Sequence, residues 1–277
     1  MWKLFFITGF KLLLTQAVFS QDIVQTMQLA GHYRDQGMYD VAVKYYRRVI
    51  FFGDDSMQAA CFPAIAECQL LAGNYEESIF FYNLAANTTT DDSLRVEYIF
   101  GRVMAALFSG NQYNALQYLY AVPLDKSPRF TRKYHFYHGM ISLHMSAHDE
   151  ARKHFMLSAT DTGEAAAIDS LFAAARLHRP DPAKARRLSI FLPGAGQAYA
   201  GNSRAALNSF LLNTGLVVLA ILTAQQYSFW DGAASVVPWL TRYYMGGYRN
   251  AETSAIEKRK TKQNELLQKI IDNHRFR

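Results

Sequence analysis

Cysteine is nearly absent from this chain: 277 residues hold two, Cys61 and Cys68, so no disulfide framework supports the fold. Read on one helix, the pair is separated by about 10 Å of rise, whereas bridged Cα atoms lie within about 7 Å. Both are expected to be buried small hydrophobes. Proline is also scarce, at 7 residues beside 16 glycines, which excludes a proline-rich or glycine-rich low-complexity chain. Acids are outnumbered, 23 against 29 Lys and Arg for a net charge of +6, and between residues 188 and 248 only Asp231 is acidic. No Ser/His/Asp or Cys/His arrangement and no carboxylate pair in an apolar setting is legible, so no catalytic residue and no cofactor are expected.

Hydrophobic residues make up 50% of the chain and aromatics 14%, which excludes wholesale disorder and allows a real core. The basic residues gather at Lys184, Arg186 and Arg187 and from Lys258 to Arg277, beside apolar segments. That placement favours an anionic membrane surface over nucleic acid, and no nucleic-acid partner is expected.

At the start, Lys3 is followed by an apolar run from Leu4 to Leu14 and a polar stretch from Thr15 to Ser20. This is the order of a secretory signal, with a cut expected before Gln21. An uncleaved anchor helix is the alternative, but Lys11 shortens the apolar run below the roughly 20 residues a span needs.

The middle of the chain repeats itself. Ala30, Gly37, Tyr39, Ala42 and Tyr46 are matched at equal or similar offsets by Ala66, Gly73, Tyr75, Ser78 and Tyr82. The small residues Ala42, Ser78, Ala115 and Ala151 are spaced 78−42 = 36, 115−78 = 37 and 151−115 = 36. Such a period predicts stacked helical pairs, with small residues where backbones approach, Gly37, Gly73 and Gly110 in the turns, and Tyr82 and Phe155 among the packing aromatics. The pattern resembles the tetratricopeptide repeat family over roughly residues 27 to 160. It is weaker in the third and fourth repeats, where Ser146 stands for the glycine and His148 for the aromatic. The resemblance implies an all-α solenoid with an extended concave surface for a protein partner. A helix from Glu164 to His178 is expected to close it.

Composition changes at Arg179-Pro180-Asp181-Pro182, where a domain boundary is expected. The resulting division is a signal peptide (1–20), helical repeats (21–179), a membrane hairpin domain (180–250) and a basic amphipathic helix (251–277). Ala205 to Ala224 carries no charge over 20 positions, the length of a transmembrane helix. A second apolar run, Gly232 to Met245, is shorter and holds Pro238 and Arg242. From Ala251 onward Ile256, Leu266, Leu267, Ile270 and Ile271 alternate with Lys and Arg, as in an interfacial amphipathic helix.

The most distinctive string runs from Pro193 through Gly194, Gly196, Gln197 and Tyr199 to Gly201. It is similar to the Pro-Gly-x-Gly-Gln-x-Tyr-x-Gly signature of small bacterial membrane domains built on a two-helix hairpin. The resemblance covers roughly residues 186 to 248 and implies an architecture more than an activity. A phosphate-cradling glycine loop is disfavoured, since no strand precedes it and no Gly-Lys-Ser/Thr follows. Among His135, His138, His144, His148 and His154, only His144 and His148 stand at the i, i+4 spacing of helical metal ligands, without a third ligand at a recognisable spacing, so no metal is expected.

The functional expectation is a non-enzymatic envelope scaffold, anchored in a bacterial membrane with its repeats outside the cytoplasm and binding an unidentified protein partner. The alternative is an accessory subunit of a membrane transport or membrane-protein assembly complex. No small-molecule substrate is expected. A simple hairpin returns the basic tail to the side of the repeats, against the positive-inside preference. A crossing by Leu188 to Gly201 would reverse this, but about 14 residues reach only about 21 Å.

Overall fold

Most helices in this chain begin where a short polar side chain can accept from free backbone N–H groups. Asp22, Asp54, Asp91, Asn111, Ser127, Asp161, Asp181 and Asn202 each cap one in this way, a substitution for water usually worth about 1 kcal/mol. The computed structural model describes residues 22–124 and 127–273. The expected signal peptide lies outside them. Among the described residues the chain is all-helical, with no strand, and its contacts divide it into two compact units between Met145 and Ser146.

The first unit contains α1 (Ile23–Asp35), α2 (Tyr39–Phe52), α3 (Asp55–Leu71), α4 (Tyr75–Thr88), α5 (Asp92–Phe108), α6 (Gln112–Leu119) and α7 (Pro128–His144). Each packs on its sequence neighbour, and α3 and α5 also meet, as do α5 and α7. One core joins Ala30, Ala42, Tyr46, Val49, Cys61, Ile65 and Ala66; another joins Phe100, Val103, Ala115, Leu119, Phe130 and Ile141. Cys61 and Cys68 lie buried on α3, unbridged, and burial pushes both thiols up to about 11. The aromatic side chains of this unit divide. Tyr46 and Phe81 are core, whereas Phe51, Phe52 and Phe80 are exposed. The Phe51–Phe52 and Phe80–Phe81 doublets put neighbouring side chains on different faces of a helix, so both members cannot face inward.

The second unit contains α8 (His148–Ser158), α9 (Thr162–Ala175), α10 (Pro182–Phe191), the single-turn α11 (Ala195–Tyr199), α12 (Ser203–Gln226) and α13 (Phe229–Asn273). α13 is its backbone: α9, α10, α11 and α12 all pack against it. The shorter apolar run and the basic stretch, read separately from sequence, are one helix of 45 residues. Gly246 and Gly247 do not break it, because a helical glycine costs only about 1 kcal/mol relative to alanine. α9 ends at Ala175, three residues before the expected His178, where Arg176 turns left-handed at φ 47°. The composition change at Arg179-Pro180 falls within this unit, in the link from α9 to α10. α12 is, among the described residues, the one helix long and apolar enough to cross a membrane: 24 residues with a mean hydropathy of 1.9 in its best window.

Candidate functional site

The repeated glycines do one job four times. Gly37, Gly73, Gly110 and Gly201 have φ of +75°, +83°, +78° and +85°. At each, the glycine N–H bonds back three residues and the next N–H five, as in Asn74 N–H to the Gln69 carbonyl at 2.8 Å and Asn202 N–H to the Gln197 carbonyl at 2.8 Å. This Schellman turn satisfies the last free carbonyls and reverses the chain. Ser146, which stands for the fourth glycine, adopts φ 62° and bears the strain a side chain meets there. The small residues Ala30, Ala42, Ala66, Ser78, Ala115 and Ala151 are buried, as is Phe155. The Ser78 hydroxyl donates to the Ala66 carbonyl at 2.8 Å. Tyr82 closes on Gly101 so tightly that a Cβ there would lie 2.6 Å from its ring, and Tyr33 stacks on Tyr45 rather than on Tyr39.

These residues build packing, and the exposed chemistry of the first unit lies beside them. A cleft of about 780 Å³ is lined by Asp40, Lys44 and Arg47 of α2, by Gln69 and Asn74 around the Gly73 turn, by Tyr75 and Glu77 of α4, and by Phe108. A bonded chain organises its floor. Asn74 donates to Gln69 Oε1 at 2.8 Å, Gln69 donates to Glu77 Oε2 at 2.5 Å, and Arg47 donates to the same oxygen at 2.9 Å. Gln69 is only 6% exposed, so the array is fixed before anything binds. Tyr75 and Phe108, their rings 6.0 Å apart, form an apolar wall. The cleft thus pairs a preorganised polar floor with an aromatic side.

In the second unit the glycine string is a junction of four helices. Gly196 lets α11 lie on α10: a Cβ there would meet the Ala185 carbonyl oxygen at 1.9 Å. Its N–H donates to Ser189 Oγ at 2.9 Å, and that hydroxyl donates to Gln197 Oε1 at 2.8 Å. Gln197 Nε2 in turn donates to the Gly247 carbonyl of α13 at 2.8 Å. Gln197 is fully buried, and this chain satisfies both ends of its amide. Gly194, at φ +94°, brings the backbone against the Ala206 carbonyl of α12, where a Cβ would stand 2.4 Å away. The Tyr199 hydroxyl accepts from the Asp181 N–H at 3.2 Å, and Lys184 lies over its ring at 5.3 Å. Pro193 lines an apolar cleft of about 510 Å³ with Phe210, Val217 and Tyr244. Gln197 and Tyr199 are thus occupied in joining helices, and Gly194 and Gly196 permit their close approach.

Sequence reading missed the partners that complete both arrays: Gln69, Asn74 and Glu77 in the cleft, and Ser189 and Gly247 at the junction. Gln69 carried a signal, as a polar residue at an interior helical position; Gly247 donates no side chain and carried none. Of the histidines, His138 is buried with Nδ1 3.2 Å from Ser142 Oγ. His148 packs edge-on to His178 at 5.1 Å and contacts Gln263 at 3.0 Å. Burial, and then the nearby His178 and Arg259, hold the His148 pKa below the usual imidazole value. Compared with known proteins, the chain matches no family model and no curated protein sequence.

Proposed function

We propose that this chain is a non-enzymatic scaffold that a two-helix hairpin anchors in a bacterial envelope membrane, while tetratricopeptide-like repeats hold an extended segment of a protein partner. The observation that carries the reading is α12. Only 6% of its apolar window is covered by the rest of the chain, an apolar surface that water does not tolerate at this length. At about 36 Å the helix exceeds a hydrocarbon core of about 30 Å. Exposed Tyr227, Phe229 and Trp230 stand at one end of the α12–α13 pair, as interfacial aromatics do. Arg204 and Arg249 stand at the other. The recurring glycine turns and the 36–37-residue spacing of buried small residues support the solenoid reading.

α12 alone passes on length and hydropathy among the described residues; α10 and the five-residue α11 are too short to cross, and the hairpin reading takes the first part of α13, with Trp230, Val237, Trp239 and Met245 exposed, as the second pass that returns the tail to the side from which α12 starts. With the expected signal peptide, that side is outside the cytoplasm. In a membrane sedimentation after carbonate washing, the full chain is expected to stay with the membranes. Reporter fusions after Arg179 and after Arg277 are both expected to be active outside the cytoplasm, and a tail fusion active only inside overturns the two-pass topology. A photo-crosslinker at Tyr75 should give one discrete protein adduct in cells, and one at Phe51 should not. Recovery of a polytopic complex through α12 instead would favour the accessory-subunit reading, which the uncovered apolar face of α12 also suits.

A further inference from the structure

Beside the glycine junction, a cleft of about 400 Å³ opens between α12 and α13. α12 supplies Asn208, Ser209 and Asn213, and α13 supplies Arg242 and Asn250. The space exists because Gly246 and Gly247 stand opposite without side chains. Polar groups on an otherwise apolar span are expensive and mark function. Two atoms here are buried without a hydrogen-bond partner: Ser209 Oγ and Asn213 Oδ1. Asn213 is 4% exposed, and its Nδ2 already donates to the Ser209 carbonyl at 2.7 Å. Its Oδ1 is therefore an open acceptor. Arg242 has no carboxylate partner among the described residues, and no acid lines the cleft.

The cleft therefore offers one positive charge, a hydroxyl donor and a buried acceptor. A ligand that satisfies all three is a monoanion with its own O–H. Counting about 20 residues of core thickness back from the aromatics at Tyr227 puts the near membrane boundary at about residue 207. Ser209 then lies just inside that boundary, beside Gly247, and Arg242, five residues earlier on α13 and so about 7.5 Å deeper, reaches the head groups by extending its side chain outward.

Resting on the membrane-anchored reading, we infer that this cleft seats the head group of a hydroxyl-bearing anionic phospholipid, of the phosphatidylglycerol type. Phosphate oxygens accept from Arg242 and the Ser209 hydroxyl. The glycerol hydroxyl donates to Asn213 Oδ1. The acyl chains follow the apolar faces of the pair.

The test is native mass spectrometry of the full chain in detergent, titrated with equimolar lipids of identical acyl chains. Phosphatidylglycerol is expected to be retained about fivefold over phosphatidylcholine, the factor one cation near a membrane surface supplies. Arg242→Gln should bring that ratio to parity, whereas Arg249→Gln should leave it unchanged. Phosphatidylmethanol carries the same charge without the hydroxyl. The parent should prefer phosphatidylglycerol over it, and Asn213→Leu should erase that preference while keeping the charge preference. Helical circular dichroism of each variant checks that it is folded. Equal retention of phosphatidylglycerol and phosphatidylcholine by the parent, equal losses for Arg242→Gln and Arg249→Gln, or displacement by millimolar glycerol 1-phosphate would overturn the assignment. A parent chain that leaves the membrane pellet sinks the anchor reading itself; one that stays there without lipid preference sinks only this inference.

Discussion

The two units hold themselves together by different physics. In the first, a short vocabulary is reused: a left-handed glycine closes a turn, a small residue lets the next helix approach, and aliphatic and aromatic side chains fill the space between. In the second, the ties are single and polar: Ser189 to Gln197 to Gly247, Asn202 to Ser254, Tyr244 to the Ile190 carbonyl, Arg259 to the Pro180 and His178 carbonyls, and Lys262 to the Arg179 carbonyl. In the membrane-anchored reading proposed above, the tie from Ser189 through Gln197 to Gly247 fits its surroundings: burial of apolar surface drives assembly in water, but it gives helices no reason to prefer one another over lipid, so backbone approach and hydrogen bonds do the holding there.

The contrast breaks most readily at Gly196. Gly196→Leu forces side-chain atoms into the Ala185 backbone and should cost about 3 kcal/mol or more, with loss of cooperative thermal unfolding of the second unit. Gly246→Ala on α13, where a Cβ meets nothing within 4 Å, should leave the melt unchanged or raise it slightly. If the two behaved alike, the junction would not be holding the helices. In the first unit the corresponding test is Ala42→Leu, expected to cost about 1–3 kcal/mol by overpacking a fully buried position. A melt equal to the parent would mean that the repeat register is wrong.

Ser78→Ala is a finer probe. It removes one hydrogen bond to the Ala66 carbonyl and should cost about 1 kcal/mol in chemical denaturation. The smallest effect concerns pH and belongs to the second unit. Because folding lowers the His148 pKa, the folded form binds fewer protons than the unfolded one once pH falls below the free value of about 6.5. Stability should therefore decline from about pH 6.5 downward and be level above it. His148→Gln should flatten that decline, measured as the change in melting temperature between pH 7.5 and 5.5.

How much of this was legible in the sequence follows the same division. Ala42, Gly73 and Ala115 announce their roles because repetition shows the same residue type solving the same contact. Even Ser146, a poor match to glycine, takes the left-handed turn that its position requires. In the second unit the string from Pro193 to Gly201 stood out, but its partners did not. Ser189 and Gly247 are 8 and 50 residues from Gln197, and one of them offers only a carbonyl. The continuity of α13 was hidden for another reason. Gly246-Gly247 reads as a break locally, whereas in the fold it is where Ser209 comes close.

The unbroken α13 also has a mechanical meaning. A helix of 45 residues is a rod about 67 Å long, with a little under half its length assigned to the bilayer. α9 packs near its far end, beside Ile270, while α10 meets it at Tyr244 and Tyr248. Tilting the embedded portion by about 10° would swing the free end by about 6 Å, because a hydrogen-bonded rod transmits the angle instead of absorbing it. In the membrane-anchored reading proposed above, bilayer thickness, which sets that tilt, is thereby geared to the position of α9.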